Sequence, residues 1–358
     1  MKTTRIAVAL ATVALAGSAL GTTTIAHDDN LHIGLEAPLT GSLAELGDGM
    51  LKGAQLAADQ LNEAGGVLGR TVEIVPIDDG GDKTIGVPAV QAAIATGVLE
   101  GVVGPYNSGV GIKTLPLYLD AGILPVHLTS DDSTSGLGYT LQPKTYQIAP
   151  VAAQALTTWI GATKVGIIYD GTQNYSVGIA QSLQQLLADA GVTVVAYEAI
   201  QPGLADYADV VATVEGFEPD VIYADVYAPE GALIAKAMHE SASEAACLAD
   251  YSSFDDTYIT NAGIEVAMSC PVVGVPAPGD FLGSQSYVQV YTDAFGEAPG
   301  AWSPYTYDSV RFLVAGINGA KATDLASVKA VLDQVKGWTG WTGDVAIDPA
   351  TGDRNPAT

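Results

Sequence analysis

The sequence predicts an α/β protein made of two doubly wound lobes, each a parallel sheet with helices on both faces. Three observations predict it. Apolar strand-like runs alternate with helix-period segments along the chain. The pattern restarts at "TKVGIIYDG", so there are two successive sets of units. With 358 residues, 48% of them hydrophobic, the chain can bury two ordinary cores.

The elements follow in order. "LHIGLEAPLT" is a strand that ends at Pro and Gly. "LGDGMLKGAQLAADQLNEAGG" puts Met50, Leu51, Ala54, Ala57, Ala58 and Leu61 on a helical stripe, closed by a Gly pair as C-cap. "RTVEIVPIDDGGD" is a strand and turn, "IGVPAVQAAIATGV" a helix and "LEGVVG" a buried strand. The loop "GPYNSGVGIKT" then leads into a helix through Leu119 and the strand "GILPVHLTS". In the second set, "TKVGIIYDGTQNYSVGIAQSLQQLLADAGVTVVAYEAI" is strand, loop, helix, Gly cap and strand. "PDVIYADVYAPEGALIAKAMHE" repeats strand, loop and helix, and "EAACLADYSS" and "VAMSCPVV" are short strands. In such sheets ligands collect beyond the carboxyl ends of the strands, so facing lobes share one cleft.

Acidic residues number 40 against 14 basic, a formal charge of −26. That balance argues against nucleic acid, which is bound through Lys and Arg, and against anionic membrane surfaces. It suits a salty milieu, where screening weakens self-repulsion. The first residues read as a secretory signal: Lys2 and Arg5, then "IAVALATVALAG", too short for a permanent span, then "TIA" before His27. Cutting after Ala19 or Gly21 is an alternative. "LAGS" resembles a bacterial lipoprotein box, but Ser18 stands where the lipid-bearing Cys belongs, so an export without lipid anchor is expected. No later run reaches membrane-spanning length. Cys247 and Cys270 are the two cysteines, a disulfide pair or two buried thiols. Two Cys alone cannot make a structural zinc site.

The Gly104–Thr114 loop almost imitates a phosphate-binding loop, but Ile112 separates Gly111 from Lys113, and the nucleotide reading fails. There is no G-x-S-x-G and no H-E-x-x-H, and His27, His32, His127 and His239 are scattered. A triad assembled in space from distant residues stays open. The pairs Asp78/Asp79, Asp131/Asp132 and Asp255/Asp256 fit no calcium loop and read as solvated turn residues. What survives is a binding cleft. Ser108 and the N–H groups of Asn107–Val110 lie at a helix start, suited to a carboxylate or other polar oxygen. Alternatively, Ser108 caps its own helix.

"APLTGSLAELGDGMLKGAQLAADQLNEAGGVLGRTVEIVPIDDGGD" closely resembles the opening of the periplasmic leucine/isoleucine/valine-binding proteins, type I solute receptors of ABC importers. "GVVGPYNSGV", "AGILPVHLTS", "VGIIYDGTQNYSVG", "VIYADVYAPEGALIAKA" and "SPYTYDSVRFLVAGI" match in the same order. The resemblance implies two αβα lobes joined by hinge strands, with crossings near Ala149, Pro276 and Thr342. Lobe 1 is then 27–148 plus 277–341, and lobe 2 is 149–276 plus 342–358, after a 1–26 signal peptide. It implies a periplasmic or extracellular monomer that closes on a small polar solute and docks on a membrane permease. No enzyme activity and no cofactor follow from it. A sensory domain on the same fold and a secreted hydrolase are the alternatives.

The resemblance places Ser108 on the ligand carboxylate, with Tyr106 and Asn107 beside it. Thr129 is a backbone acceptor and donor position, and Tyr175 and Tyr227 are the second lobe's ring-bearing residues. Leu46 falls where an aromatic often covers the ligand. Three positions depart from the family pattern. Asp131 stands where a Thr helps bind the carboxylate, Val151 replaces an Asp near the first hinge, and Tyr251 takes the place of the acidic partner of the ligand ammonium, unless Asp250 serves by a one-residue shift. An inward Asp131 implies an amide, polyol or cation rather than an aliphatic amino acid.

Overall fold

The computed structural model describes residues 29–357 except Ser284. The expected signal peptide, His27 and Ser18 lie outside the described residues. The strands are β1 (Leu31–Ala37), β2 (Val72–Asp78), β3 (Leu99–Val103), β4 (Pro125–His127), β5 (Tyr139–Thr140), β6 (Lys164–Asp170), β7 (Thr193–Ile200), β8 (Val221–Asp225), β9 (Ala246–Ala249), β10 (Trp338–Gly340) and β11 (Gly343–Val345). The helices of the first half are α1 (Ala44–Glu63), α2 (Lys83–Ala95), α3 (Ser108–Asp120), α4 (Thr145–Gln154), α5 (Asn174–Asp189) and α6 (Ala208–Glu215). Those that follow are α7 (Ala228–Glu240), α8 (Asp256–Ala262), α9 (Ile264–Ser269), α10 (Gln285–Phe295), α11 (Ser303–Ala320) and α12 (Leu325–Leu332).

Two sheets carry the fold. The first runs β2-β1-β3-β4-β5 and the second β7-β6-β8-β9, and every pairing within them is parallel. A parallel neighbour needs a crossover, which the intervening helices supply. β1 is buried at all seven positions, as expected of a strand covered on both faces, and carries His32 and Glu36 among its apolar residues. α1 packs on α11 closely enough that a Cβ on Gly53 would sit 2.3 Å from the Ser303 carbonyl oxygen, which only Gly permits.

Two expectations need correction. "VAMSCPVV" is not a strand: Val266–Ser269 belong to α9, and only Val272 makes a bridge, to Ala249 beside β9. These residues are wound into the short helix α9, which ends at Ser269 just before Cys270. The stretch 342–358, expected in the second lobe, lies against the first sheet instead. Asp353 bridges Thr140 of β5 in parallel register, and Gly136 N donates to Thr351 O. Arg354, fully buried, donates to the carbonyls of Leu141 (3.2 Å), Thr342 (2.8 Å) and Asp344 (2.7 Å). Asp308 accepts from Trp341 N and from Thr342 N and Oγ1. Buried charges are kept where such bonds satisfy them, and this pair anchors the tail.

Asp79 also departs from expectation. It is fully buried rather than solvated, and Oδ1 accepts from Gly81 N at 2.7 Å. Glu36 of β1 is fully buried near it, against the Thr114 and Tyr118 hydroxyls. Its neighbours in the "DDGGD" turn do behave as turn residues: Asp78 accepts from Leu39, Thr40 and Gly80, and Asp82 caps α2 through Thr84 N.

Burial pushes the Asp79 carboxyl up to about 7 and Glu36 well above the carboxylate range. A raised folded-state value means that stability is complete below the unfolded value, near 4, and is lost as pH rises through 7. Melting curves should therefore show Asp79→Asn more stable than the parent at pH 8, with the gap closing near pH 4. A gap that does not change with pH would show that the Asp79 carboxyl titrates alike in the folded and unfolded states. Cys247 and Cys270 are joined as a disulfide, closing a 23-residue separation between β9 and the end of α9. Reduction should lower the urea unfolding free energy by about 3 kcal/mol, the loop-closure value for this spacing.

Candidate functional site

The first lobe's wall begins at Gly104, where β3 ends. Its φ is +92°, and a Cβ there would lie 1.9 Å from the Glu36 carbonyl oxygen, so only Gly allows the turn. The turn delivers Tyr106, Asn107 and Ser108, all buried, to the N-terminus of α3. Ser108 does not cap its own helix. Asn107 is the N-cap, without a side-chain cap bond, and Ser108 Oγ accepts from Asp131 N at 3.1 Å. The Ser108 hydroxyl proton therefore remains for another acceptor. The Asn107 side chain faces Gly81 and the Tyr227 hydroxyl.

The neighbouring loop, 128–134, is pinned by Lys144. This fully buried ammonium donates to Asp131 O and Thr134 Oγ1, both at 2.6 Å, and to Thr129 O at 3.4 Å. Desolvation lowers its pKa to about 8. Thr129 turns its hydroxyl away from the cleft, onto His127 Nδ1 at 2.8 Å and Thr134 Oγ1 at 2.7 Å. Asp131 spends Oδ1 on Ser133 N and Oγ, and its Oδ2 stands near Gly178 of α5. The carboxylate is thus a turn cap at the cleft's edge, and it is Asp131's backbone N–H that meets Ser108.

The second lobe's wall comes from the carboxyl ends of β6, β8 and β9. Tyr175, in the first turn of α5, donates to Asp250 Oδ2 at 3.0 Å, and Tyr223 donates to Oδ1 at 2.5 Å. Ser252 N and Oγ complete the set at 2.9 Å each. Asp250 is fully buried behind the tyrosines, orienting them. Burial first, then Asp250, raises the Asp225 carboxyl well above the usual carboxylate range.

The two walls meet. The Tyr106 and Tyr227 rings are 6.2 Å apart across the cleft, and a Cβ on Gly109 would lie 3.1 Å from Asn174 Oδ1. Tyr106, Ser108, Tyr175, Tyr227 and Tyr251 line one narrow cavity. Of the other expected residues, Leu46 lies farther out with Tyr227 and Ser252, Asp250 stands behind the wall, and Asn107, Thr129 and Asp131 frame it from the side. Leu128, Ser130, Gln142 and Ser252 also line the cavity and were missed. Gln142 sits in the "TLQPKTYQ" chain crossing, Leu128 and Ser130 in the loop after β4 and Ser252 just beyond β9, none of them places that periodicity marks. Trp302 was missed too; its ring packs 5.2 Å from Tyr106 and 5.1 Å from Tyr251, closing the cavity's outer side. Beyond it the mouth is acidic, with Glu45, Asp48, Asp255, Asp256 and Glu297, and Lys52 bridges Asp48 and Glu297 at 2.5 Å each.

None of the described histidines lines the cavity, and among the described residues no cluster of His, Cys, Asp or Glu is arranged to hold a metal. Among them no helix is long and apolar enough to cross a membrane.

Known proteins resemble this chain in sequence and fold. The Leu/Ile/Val-binding protein BraC3 of Rhizobium johnstonii is 35% identical over 226 residues, a match spanning 62% of this chain and 61% of that relative. A Leu/Ile/Val-binding protein homolog of Brucella melitensis is 29% identical over 90% of this chain and 88% of its own. Among solved structures, a leucine-binding protein of Thermotoga maritima superposes with a TM-score of 0.83 at 23% identity, covering 90% of this chain and 93% of that one. A branched-chain amino acid transporter substrate-binding protein of Streptococcus pneumoniae, in complex with isoleucine, gives 0.81 at 23% identity over 91% and 93%. These likenesses show the type I two-lobed α/β fold, and the profile of the Periplasmic binding protein family matches residues 30–357. The chain belongs to the Periplasmic binding protein family.

Proposed function

We propose that this protein is an extracytoplasmic solute receptor of an ABC importer. It takes a small polar solute, an amino acid of branched-chain type or a related amide, into the interlobe cavity and hands it unaltered to a membrane permease. The observation that carries this reading is the convergence of Ser108 from one lobe with Tyr175, Tyr227 and Tyr251 from the other on a single cavity. In this reading Ser108 donates its free proton to a solute oxygen, beside the positive end of α3. The tyrosines, held by Asp250, enclose the solute, and Asp250 balances an ammonium through them. Thr129 and Asp131 act through the backbone, with Tyr106, Asn107, Leu46 and Trp302 shaping the walls.

The names of the relatives, Leu/Ile/Val-binding proteins, support the solute class, as do structural neighbours with bound leucine or isoleucine. Export of a monomer fits the same reading. We place the lobe divisions near 148–149 and 276–277, with the cleft between. Because the walls touch in this form, the lobes must part to admit a solute. Only a solute that prefers the closed form will shift the population toward it.

A thermal-shift panel of aliphatic amino acids, short amides and polyamines tests the reading. A true solute at about a hundredfold its Kd should add about 2.7 kcal/mol of stability, and no product should form. Turnover of the solute would instead indicate a hydrolase. Ser108→Ala should weaken binding by about 1–3 kcal/mol, since a solute oxygen loses its donor. An unchanged Kd by calorimetry would confine Ser108 to holding the Asp131 loop.

A further inference from the structure

Gln142 sits in the short segment that leaves β5 for α4, and its side chain lines the same cavity. It is 2% exposed. Its Nε2 donates to the Leu128 carbonyl and, at 2.9 Å, to Ser130 Oγ. A carbonyl oxygen can only accept, so the amide cannot be turned over: nitrogen must face Leu128. Oε1 is left on the other side, and among the described residues it has no hydrogen-bond partner. Buried acceptors are seldom left so, because an unpaired one loses the bond that water gave it.

The rest of the lining fits a polar occupant. Among the described residues Leu128 is the single aliphatic one there; Ser130 stands beside Gln142, and the Tyr251 hydroxyl lies against Ser130. Among the described residues no charged side chain lines the cavity. An aliphatic tail placed here would seal Oε1 away from any donor. A charged tail would meet no opposite charge at this end.

We propose that Gln142 Oε1 is a specificity determinant that accepts a hydrogen bond from the solute's own side chain, so the cleft selects a neutral donor-bearing solute, an amide or hydroxyl, over an aliphatic one of the same shape. This rests on the solute-binding reading above. It narrows the class within it, from branched-chain amino acids toward their polar near-isosteres.

Calorimetric titration of the whole chain with L-asparagine, L-leucine and L-aspartate tests it, because the three side chains have similar shapes and differ in donors and charge. L-Asparagine should bind at least about tenfold more tightly than either of the others, the value of one hydrogen bond to a buried acceptor. Gln142→Met should bring asparagine and leucine to within about twofold while the melting curve shows a folded protein. If that variant does not fold, the ratio in the unaltered protein decides alone. Leucine bound as tightly as asparagine, or a panel solute without a side-chain donor bound more tightly, overturns this inference and leaves solute binding standing. No melting shift with any solute of the panel overturns both.

Discussion

In a parallel ladder all strands leave the sheet at the same edge, and this constraint organises the molecule. Each strand's carboxyl end opens into a loop, and each loop feeds a helix whose first N–H groups have no partner within the helix. With two such sheets facing each other, those unsatisfied groups and the loops that carry them gather in one crevice. Ser108, Tyr175 and the turn before α7 all occupy equivalent places, one step beyond a strand. The cleft is therefore a product of topology before any side chain is considered.

Side chains then decide how firmly each loop is held. A buried ammonium, Lys144, gathers three oxygen acceptors of the 128–134 loop, and that loop's Asp131 N–H in turn holds Ser108. In the second lobe a buried carboxylate has the corresponding task, with Asp250 collecting two tyrosine hydroxyls and Ser252. Both are charges fully satisfied by hydrogen bonds, the condition under which burial is tolerable. Their benefit is rigidity in the walls, which lowers the ordering cost of binding.

The acidity of the chain has two different meanings. At the mouth, Glu45, Asp48, Asp255, Asp256 and Glu297 are surface charges, consistent with a net charge of −26. Inside, Glu36, Asp79 and Asp225 are buried, and burial favours their protonated forms. Composition alone suggested solvated carboxylates everywhere. It could not distinguish a turn aspartate such as Asp82 from Asp79, three residues away, because the difference is which side of the strand end the side chain faces.

Periodicity and turn chemistry were enough to identify β1 to β4, β6 to β9 and the helices α1, α2, α3, α5 and α7, since each such element must repeat its apolar residues at its own period. The two-residue β5 and the helices α4 and α6 were not read from pattern. Motif order along the chain added Ser108, Tyr175 and Tyr227, whose positions follow directly from the strand ends. Other features had no local signature. Gln142, Ser130 and Trp302 reach the cavity from chain crossings and from a segment about two hundred residues downstream, and no period marks a residue that faces a cleft only after two lobes meet. The same holds for the C-terminal stretch beside β5, placed by Arg354 and Asp353 through contacts more than two hundred residues apart in sequence. Local pattern determines what an element is; which elements share a surface is settled only by long-range packing, because burial is a property of the assembled chain.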